Sequence, residues 1–231
     1  PRQTGKTTLL RSLFPENKTY YYNLLMTEEY TRLLARPSLL REEIASRPER
    51  VSSIVIDEIQ RIPSLLDEVQ MILDSSSTPS PPSFAMSGSS ARKLKRFQAN
   101  LLGGRAFTFR LFPLTSHELG GLFSLQKAVQ NGTIPSVFLE DSIDAARDAL
   151  RSYVGAYIRE EIEAEAQVRR LDRFAQFLTL AGFENGNVLN FSNIARETGT
   201  SYHTVKSYFQ ILEDTLLGNF LYPYQKSAGK R

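Results

Sequence analysis

The first eight residues of the chain constrain its fold more than any other segment. They read P-R-Q-T-G-K-T-T, from Pro1 to Thr8, and match the phosphate-binding loop G-x-x-x-x-G-K-[ST] if the first glycine lies just before Pro1. Such a loop joins a buried strand to a helix, so the pattern predicts an α/β domain with a parallel sheet. The alternative, which a match this short leaves open, is a Gly-Lys turn ahead of a surface helix.

Each residue type in this loop has a chemical reason to be there. Gly5 lets backbone N–H groups turn toward a phosphate along a curve that a Cβ would obstruct. Lys6 carries a positive charge to the β- and γ-phosphates, and the Thr7 hydroxyl is a Mg²⁺ ligand at the positive end of the following helix. The residues expected to bind the nucleotide are Gln3, Thr4, Gly5, Lys6, Thr7 and Thr8.

A β-branched run, residues 51–56, reads V-S-S-I-V-I and predicts a buried parallel strand. It ends in Asp57 and Glu58, at the strand edge where open α/β sheets bind ligands. We expect Asp57 to hold Mg²⁺. Backbone alternation predicts that Glu58 turns away from Asp57, toward an attacking water. The alternative, a strand ending in solvated acids, is weak once a phosphate loop precedes it.

A third strand is predicted for residues 83–86, and small hydroxyl residues follow it. Ser87 and Ser89 flank Gly88 at this strand end, where their hydroxyls can hydrogen-bond a γ-phosphate or the water that attacks it. Taken alone the segment is an ordinary Ser/Gly turn. Its position one helix after the Asp-Glu strand is what favours a functional role.

The remaining pattern alternates strands and helices and then becomes helical. Strands are predicted at residues 18–23 and 106–111, and helices at 27–36, 37–47, 63–73 and 91–102. Strand patterns largely stop near residue 131. We therefore expect an α/β core at residues 1–130 and a helical unit at 135–231.

Within the helical unit, residues 191–212 have the pattern of a helix-turn-helix. Asn190 and Ser201 are predicted to cap its two helices, and Gly199 to make the turn. The second helix begins at Tyr202 and ends at Glu213, and residues 220–222 are a candidate wing strand. Only Lys206 is a formal cation on that helix, so DNA readout and a structural lid both stay open.

Composition excludes several other classes of protein. The chain has no cysteine, which excludes disulfides, thiol nucleophiles and zinc sites built on sulfur. It has only two histidines, which excludes a histidine-rich metal centre. No apolar run approaches the roughly 20 residues that cross a bilayer, and no signal peptide is visible. We therefore expect a cytoplasmic protein that does not insert in membranes. The formal charge of +3 permits nucleic-acid binding without arguing for it.

Further motifs lie at residues 102–105 (L-G-G-R), 112–115 (F-P-L-T), 195–213 and 221–224. Together with the three strand-end motifs, they make the sequence resemble the prokaryotic predicted AAA+ ATPases. Members of that family join a P-loop domain to a helical region and a C-terminal domain of unknown function. The resemblance spans nearly the whole chain. Because the first loop glycine, its strand and the last family domain are absent, we expect the sequence to be a fragment.

The resemblance implies more than the motifs do alone. It implies a parallel sheet in the order 5-1-4-3-2, a winged-helix-like helix-turn-helix, and a polar sensor at Ser87 or Ser89. It implies that Arg105 acts as a finger on a neighbouring subunit's nucleotide in a homo-oligomer, although a surface arginine after a Gly-Gly turn fits this position equally well. The preference for ATP over GTP rests on the resemblance. Arg159, on the first helix of the second unit, is a candidate lid sensor that would reach the phosphates.

The expected function is hydrolysis of ATP with Mg²⁺ to drive a conformational change. The catalytic residues would be Glu58, Lys6, Ser87, Ser89 and Arg105, with Thr7 and Asp57 on the metal. The alternative is a nucleotide-gated module with negligible hydrolysis that binds duplex DNA or a protein through the helix starting at Tyr202. A small-molecule kinase has no support, because no acceptor pocket is legible in the sequence.

Overall fold

The structure is a computed structural model that describes residues 1–48, 51–75, 82–88, 106–157 and 171–224. The chain divides into two compact units, Pro1–Ala149 and Leu150–Arg231. The first contains the sheet and the phosphate-loop motif, and the second is helical. Each unit is described by itself.

The sheet of the first unit has three described strands, all parallel. They are β1 (Thr19–Asn23), β2 (Ser53–Asp57) and β3 (Ser83–Met86), in the spatial order β1-β2-β3. In the register, Asn23 lies opposite Asp57 and Ile56 lies opposite Met86. Three of the predicted strands are therefore present, and their carboxyl ends lie at one edge. The described strands do not show the expected order 5-1-4-3-2.

One face of this sheet is covered by three helices and a closed apolar core. The helices are α2 (Thr27–Ala35), α3 (Leu39–Ala45) and α4 (Leu65–Ser75). Each helix contributes fully buried side chains, among them Leu33, Leu40 and Leu65, which pack with Ile54 and Ile56 of β2. Burial of this apolar surface is the main stabilising contribution in the first unit.

Helix α1 (Lys6–Leu13) follows the phosphate-loop motif and is less buried than the other three. None of its residues is fully buried, and Leu9 and Leu13 are 43% and 62% exposed. Its side chains meet the second face of the sheet, since Arg11 lies over the ring of Tyr21 at 5.8 Å and Thr7 reaches Asp57. The contacts of α1 with the sheet therefore include polar and charged groups.

The segment at residues 106–111 corrects the sequence prediction of a further strand. These residues form no ladder with β1, β2 or β3, and Phe107 and Phe109 are 90% and 88% exposed. A β-favouring composition makes a strand only where a neighbouring strand accepts its hydrogen bonds. Beyond this segment lie three short helices, α5 (Ser116–Leu119), α6 (Leu125–Asn131) and α7 (Pro135–Phe138), and then α8 (Ile143–Tyr157), which contains the division between the units.

The second unit is built from α9 (Leu171–Phe183), α10 (Phe191–Thr198) and α11 (Tyr202–Asp214). Aromatic packing holds the three helices together, with Phe174 against Tyr208 at 5.0 Å and Phe177 against Phe209 at 4.8 Å between ring centroids. Edge-to-face pairs of this kind add stability beyond the area they bury.

The predicted caps of α10 and α11 are present. The Asn190 side chain accepts from the backbone N–H groups of Ser192 and Asn193, and the Ser201 hydroxyl accepts from that of Thr204. Gly199 has a φ of +59°, and a Cβ there would meet the Arg173 guanidinium at 2.8 Å. The left-handed backbone conformation therefore favours glycine at this turn, and a Cβ would only displace the end of the flexible Arg173 side chain.

The predicted wing strand at residues 220–222 is not a strand. Phe220 instead packs its ring against Phe209 and Phe191, at centroid distances of 5.7 and 6.3 Å. Ring packing therefore holds this segment where a ladder was expected. Several sequence predictions lie outside the described residues, namely the helix at 91–102, Ser89, Arg105 and Arg159. No described helix is long and apolar enough to cross a membrane.

Candidate functional site

The phosphate-loop motif forms a tight turn that leads into α1. Gln3 and Gly5 both have positive φ, at +58° and +85°, and Gly5 is the residue before the helix. Turns of this type aim successive N–H groups into one concavity, which suits an anion. A Cβ on Gly5 would meet no protein atom within 4 Å. The left-handed conformation of Gly5, and not contact with a neighbouring protein atom, is therefore what favours glycine here.

Two side chains of the loop turn back onto its first residue. The Thr4 hydroxyl donates to the Pro1 carbonyl at 3.2 Å, and the Lys6 ammonium donates to the same oxygen. Thr4 is 5% exposed and Lys6 is half-buried. The carbonyl of Pro1 therefore orients the lysine across the loop. In this position, the Lys6 ammonium lies beside the loop that is expected to bind phosphate.

The carboxylate of Asp57 is the polar centre of the site. It is 1% exposed at the last position of β2. The Thr7 hydroxyl donates to its Oδ2 at 2.6 Å, and the Ser87 hydroxyl donates to its Oδ1. Three predicted residues from α1, β2 and the end of β3 therefore meet at one carboxylate. A buried carboxylate needs such partners, because burial without them is costly.

Glu58 departs from the orientation that the sequence predicted. Strand alternation does not orient it, because β2 ends at Asp57 and Glu58 has a left-handed backbone, with φ +61° and ψ +42°. Its backbone N–H lies 3.5 Å from the Ser87 hydroxyl, and the next N–H, of Ile59, donates to the Ser87 carbonyl at 3.0 Å. The turn at Ser87 therefore holds the turn at Glu58.

Sequence reasoning assigned no role to Gln60 or Tyr21. The Gln60 amide donates to the Glu58 carboxylate, and the Tyr21 hydroxyl is buried without a hydrogen-bond partner in the described part of the chain. Burial, with the charge of Asp57 as the second cause, raises the pKa of Tyr21, while Arg11 opposes the rise. Gln60 follows the Asp-Glu pair closely enough to be noticed in the sequence, whereas Tyr21 is one of three consecutive tyrosines and nothing in the sequence singles it out.

The donor set fits a magnesium ion with a bound nucleotide. Thr7 and Asp57 place hydroxyl and carboxylate oxygens side by side, the hard donors that Mg²⁺ prefers. No cluster of three or more His, Asp or Glu side chains occurs in the described ranges. That is expected for Mg²⁺, which takes one or two protein ligands and completes its shell with phosphates and waters.

The rest of the predicted set is placed as follows. Thr8 is exposed on the first turn of α1, and Gln3 is exposed in the loop, where its side-chain oxygen accepts from the Ser136 hydroxyl at 3.5 Å. Ser89 and Arg105 lie outside the described residues. The structure therefore brings Lys6, Thr7, Asp57, Glu58 and Ser87 to one edge of the sheet.

Comparison with protein families finds two adjacent matches along the chain. The model of an AAA domain matches residues 1–120, which contain the loop, the sheet and α1 to α4. The model of a domain of unknown function (DUF8612) matches residues 122–231. The first match makes the N-terminal part an AAA-type, ATPase-like domain. No solved structure matches the chain.

Two curated proteins of mycobacteria are similar to this chain, and both are uncharacterized. One is from Mycobacterium tuberculosis and the other from Mycobacterium bovis, and each is 26% identical over 234 residues. The match covers all of this chain and 50% of each relative. The chain therefore spans about half the length of the curated relatives it matches.

Proposed function

The chain belongs to the AAA domain family, and we propose that it binds ATP with Mg²⁺ and hydrolyses it to drive a conformational change. The observation that carries this proposal is the 2.6 Å hydrogen bond between Thr7 and Asp57. It joins the phosphate-loop motif to the acid that ends β2, 50 positions away along the chain. This contact places a hydroxyl and a carboxylate side by side, and both are oxygen ligands of the kind that Mg²⁺ takes.

The proposed roles follow from charge and position. Lys6 neutralises the β- and γ-phosphate oxygens, and Thr7 and Asp57 hold the metal. Bound Mg²⁺ would supply positive charge where negative charge develops on the transferring phosphate. Ser87 supports Asp57 through its hydroxyl and is a candidate sensor of the γ-phosphate. Most of the catalysis would be positioning and electrostatic stabilisation.

Glu58 is the proposed general base. In the reaction, a water oxygen bonds to the γ-phosphorus, the bond to the β–γ bridging oxygen breaks, and ADP and phosphate leave. Glu58 orients the water and takes up its proton. The half-buried position of Glu58, next to Asp57 at the same sheet edge, supports this assignment.

The finer family features are also proposals. The order β1-β2-β3 would correspond to strands 2-3-4 of a sheet 5-1-4-3-2, with the strand before Pro1 next to β3. Ser89 would be a second candidate sensor, and Arg105 would reach the nucleotide of a neighbouring copy. Support for these two residues comes from the motif pattern alone. They are secondary to the assignment of Lys6, Thr7, Asp57 and Glu58.

The test is Mg²⁺-dependent phosphate release by the full-length protein, with Glu58→Gln beside it. The variant should bind an ATP analogue as the parent does and lose turnover by about a hundredfold or more, the usual contribution of a general base. Glu28→Gln, an exposed acid in the first turn of α2, is the matched control and should turn over normally. Equal hydrolysis by Glu58→Gln and the parent would refute the role.

A second candidate function is nucleotide-gated binding of duplex DNA by the second unit. The exposed side chains on the first turns of α11 are polar or cationic (Tyr202, His203, Lys206 and Ser207), and no acid interrupts them. Side chains near the start of a recognition helix are the ones that reach base edges. A gel-shift series with and without ATP, read across salt, tests this function. Affinity independent of salt, or no shift at all, would leave a protein partner or a lid.

A further inference from the structure

The side chain of Gln60 contacts the proposed general base. Its Nε2 donates a hydrogen bond to Oε2 of Glu58, two positions earlier on the same short turn. Ile59, between them, is fully buried and packs into the core of the first unit. The carboxylate and the amide that holds it therefore lie on one turn whose middle residue is anchored.

The backbone beneath this pair is strained and held in place. Non-glycine residues seldom adopt a left-handed conformation, which costs roughly 1–2 kcal/mol, yet Glu58 does so. The turn closes through the Arg61 N–H, which donates to the Glu58 carbonyl at 3.0 Å, and through the Ile59 N–H on the Ser87 carbonyl. The direction in which the Glu58 side chain leaves the backbone is therefore determined by its neighbours.

A fixed backbone still leaves a glutamate side chain with three rotatable bonds. A glutamate confined to one rotamer loses conformational entropy, and a hydrogen bond to one carboxylate oxygen offsets part of this cost. The Gln60 amide engages Oε2, and this hydrogen bond orients the carboxylate group as a whole. Alignment of this kind acts on the reaction rate more than on nucleotide affinity, because phosphate binding uses other groups.

We infer that Gln60 is a positioning residue that holds Glu58 in the orientation needed to activate water. The inference rests on the proposed ATPase function and goes beyond it, since it gives Gln60 a role in the reaction. Gln60 does not touch the phosphates in this assignment. It acts on turnover through Glu58, so the effects of substitutions at the two positions should not be independent.

The test measures ATP turnover in Gln60→Glu and Gln60→Leu of the full-length protein. Gln60→Glu keeps the side-chain size but replaces the donor with a like charge, and Gln60→Leu removes the donor. We expect kcat to fall about tenfold for Leu and further for Glu, within the roughly hundredfold cost of a misplacement of about 1 Å. KM, the affinity for an ATP analogue and the thermal midpoint should stay at parent values.

The chain offers a matched control on α4. Gln70 also donates to a nearby carboxylate, that of Asp74 at 3.5 Å, on an exposed helix surface. Gln70→Glu and Gln70→Leu should leave kcat unchanged. A double-mutant cycle adds a readout that a merely structural role would not move. In the Glu58→Gln background, Gln60→Leu should cause no further loss of turnover.

The outcomes of these experiments separate the positioning role of Gln60 from the general-base role of Glu58. Full turnover by Glu58→Gln refutes the general-base role, and this inference falls with it. Stalled turnover in Glu58→Gln alongside parent-like or faster turnover in the Gln60 variants overturns this inference only. A third result is that both Gln60 variants bind the analogue more weakly or unfold at a lower temperature, to an extent that accounts for their lower kcat. That result also overturns the inference, because Gln60 would then be a structural residue.

Discussion

The two faces of the sheet in the first unit have different chemistry. On one face, Tyr22, Ile54 and Ile56 pack into a continuous apolar core beneath α2, α3 and α4. On the other face the residues in register across the strands are mostly polar, with Thr19, Ser53 and Ser83 in one row and Asn23 and Asp57 in another. Successive side chains of a strand point to opposite faces of the sheet, so alternate residues of one strand belong either to the apolar core or to the polar face.

The polar face carries its own hydrogen bonds. The hydroxyls of Ser53 and Ser83 are 3.2 Å apart, and Asp57 accepts from Thr7 and Ser87. At the margin of the apolar face, the Tyr22 hydroxyl donates to Glu43 at 3.0 Å. We conclude that stability comes mainly from the apolar face of the sheet, and that the candidate site lies at the end of the polar face.

The largest expected effect is on the apolar face. Leu33→Ala on α2 should lower the free energy of unfolding by about 2–5 kcal/mol, because Leu33 is fully buried and its loss leaves a cavity. Leu13→Ala on α1, where the leucine is 62% exposed, should cost less than about 1 kcal/mol. Urea denaturation of both variants measures the difference. Similar losses would mean that both faces contribute equally to stability.

The second effect is on turnover. Asp57→Asn removes the buried negative charge of the polar face and should lower Mg²⁺-dependent turnover by at least about a hundredfold. Without nucleotide, its free energy of unfolding should be equal to that of the parent or higher, since no buried charge then needs compensation. Asp67→Asn, an exposed acid on α4, is the control for both measurements. A destabilised Asp57→Asn would show that this carboxylate also holds the fold together.

The smallest effect compares two adjacent tyrosines on opposite faces. Tyr22→Phe should cost about 1 kcal/mol, because its hydroxyl donates to Glu43. Tyr21→Phe should be neutral or slightly stabilising, because its buried hydroxyl has no partner among the described residues. Burial and the charge of Glu43 raise the pKa of Tyr22, so its contribution is present below pH 10 and is lost as the pH rises above it.

Denaturation at neutral pH and again above pH 10 checks this pair. The difference in stability between the parent and Tyr22→Phe should shrink at the higher pH. Tyr21→Phe provides the reference on the other face, because it removes the same atom. A loss for Tyr21→Phe as large as that for Tyr22→Phe would mean that the Tyr21 hydroxyl has an acceptor such as a bound water.

Much of the fold followed from local sequence patterns. The runs that became β1, β2 and β3 are short and rich in β-favouring residues, and the acids and serine after β2 and β3 mark where those strands end. Asn190, Gly199 and Ser201 predicted the caps and the turn of α10 and α11 correctly. Caps and strand ends depend on a few neighbouring residues, which is why they can be read without the fold.

The meeting of Thr7, Asp57 and Ser87 was predicted only as a shared sheet edge. The carboxyl ends of parallel strands lie at the same edge of a sheet whatever their sequence. The shared edge could therefore be predicted once the strands were expected to be parallel. The hydrogen bonds that converge on Asp57 depend on the packing of α1 and on the turn after β3. Their geometry therefore required the structure.

The sequence by itself determined the positions of β1, β2 and β3, the loop motif, the caps of α10 and α11 and the acids of the site, because local chemistry decides these features. Tertiary structure alone decided the left-handed turn at Glu58, the hydrogen bond from Gln60, and the absence of strands at residues 106–111 and 220–222. A strand needs a partner that local propensity does not supply. A strained turn persists only where its neighbours hold it, as Ser87 holds the turn at Glu58.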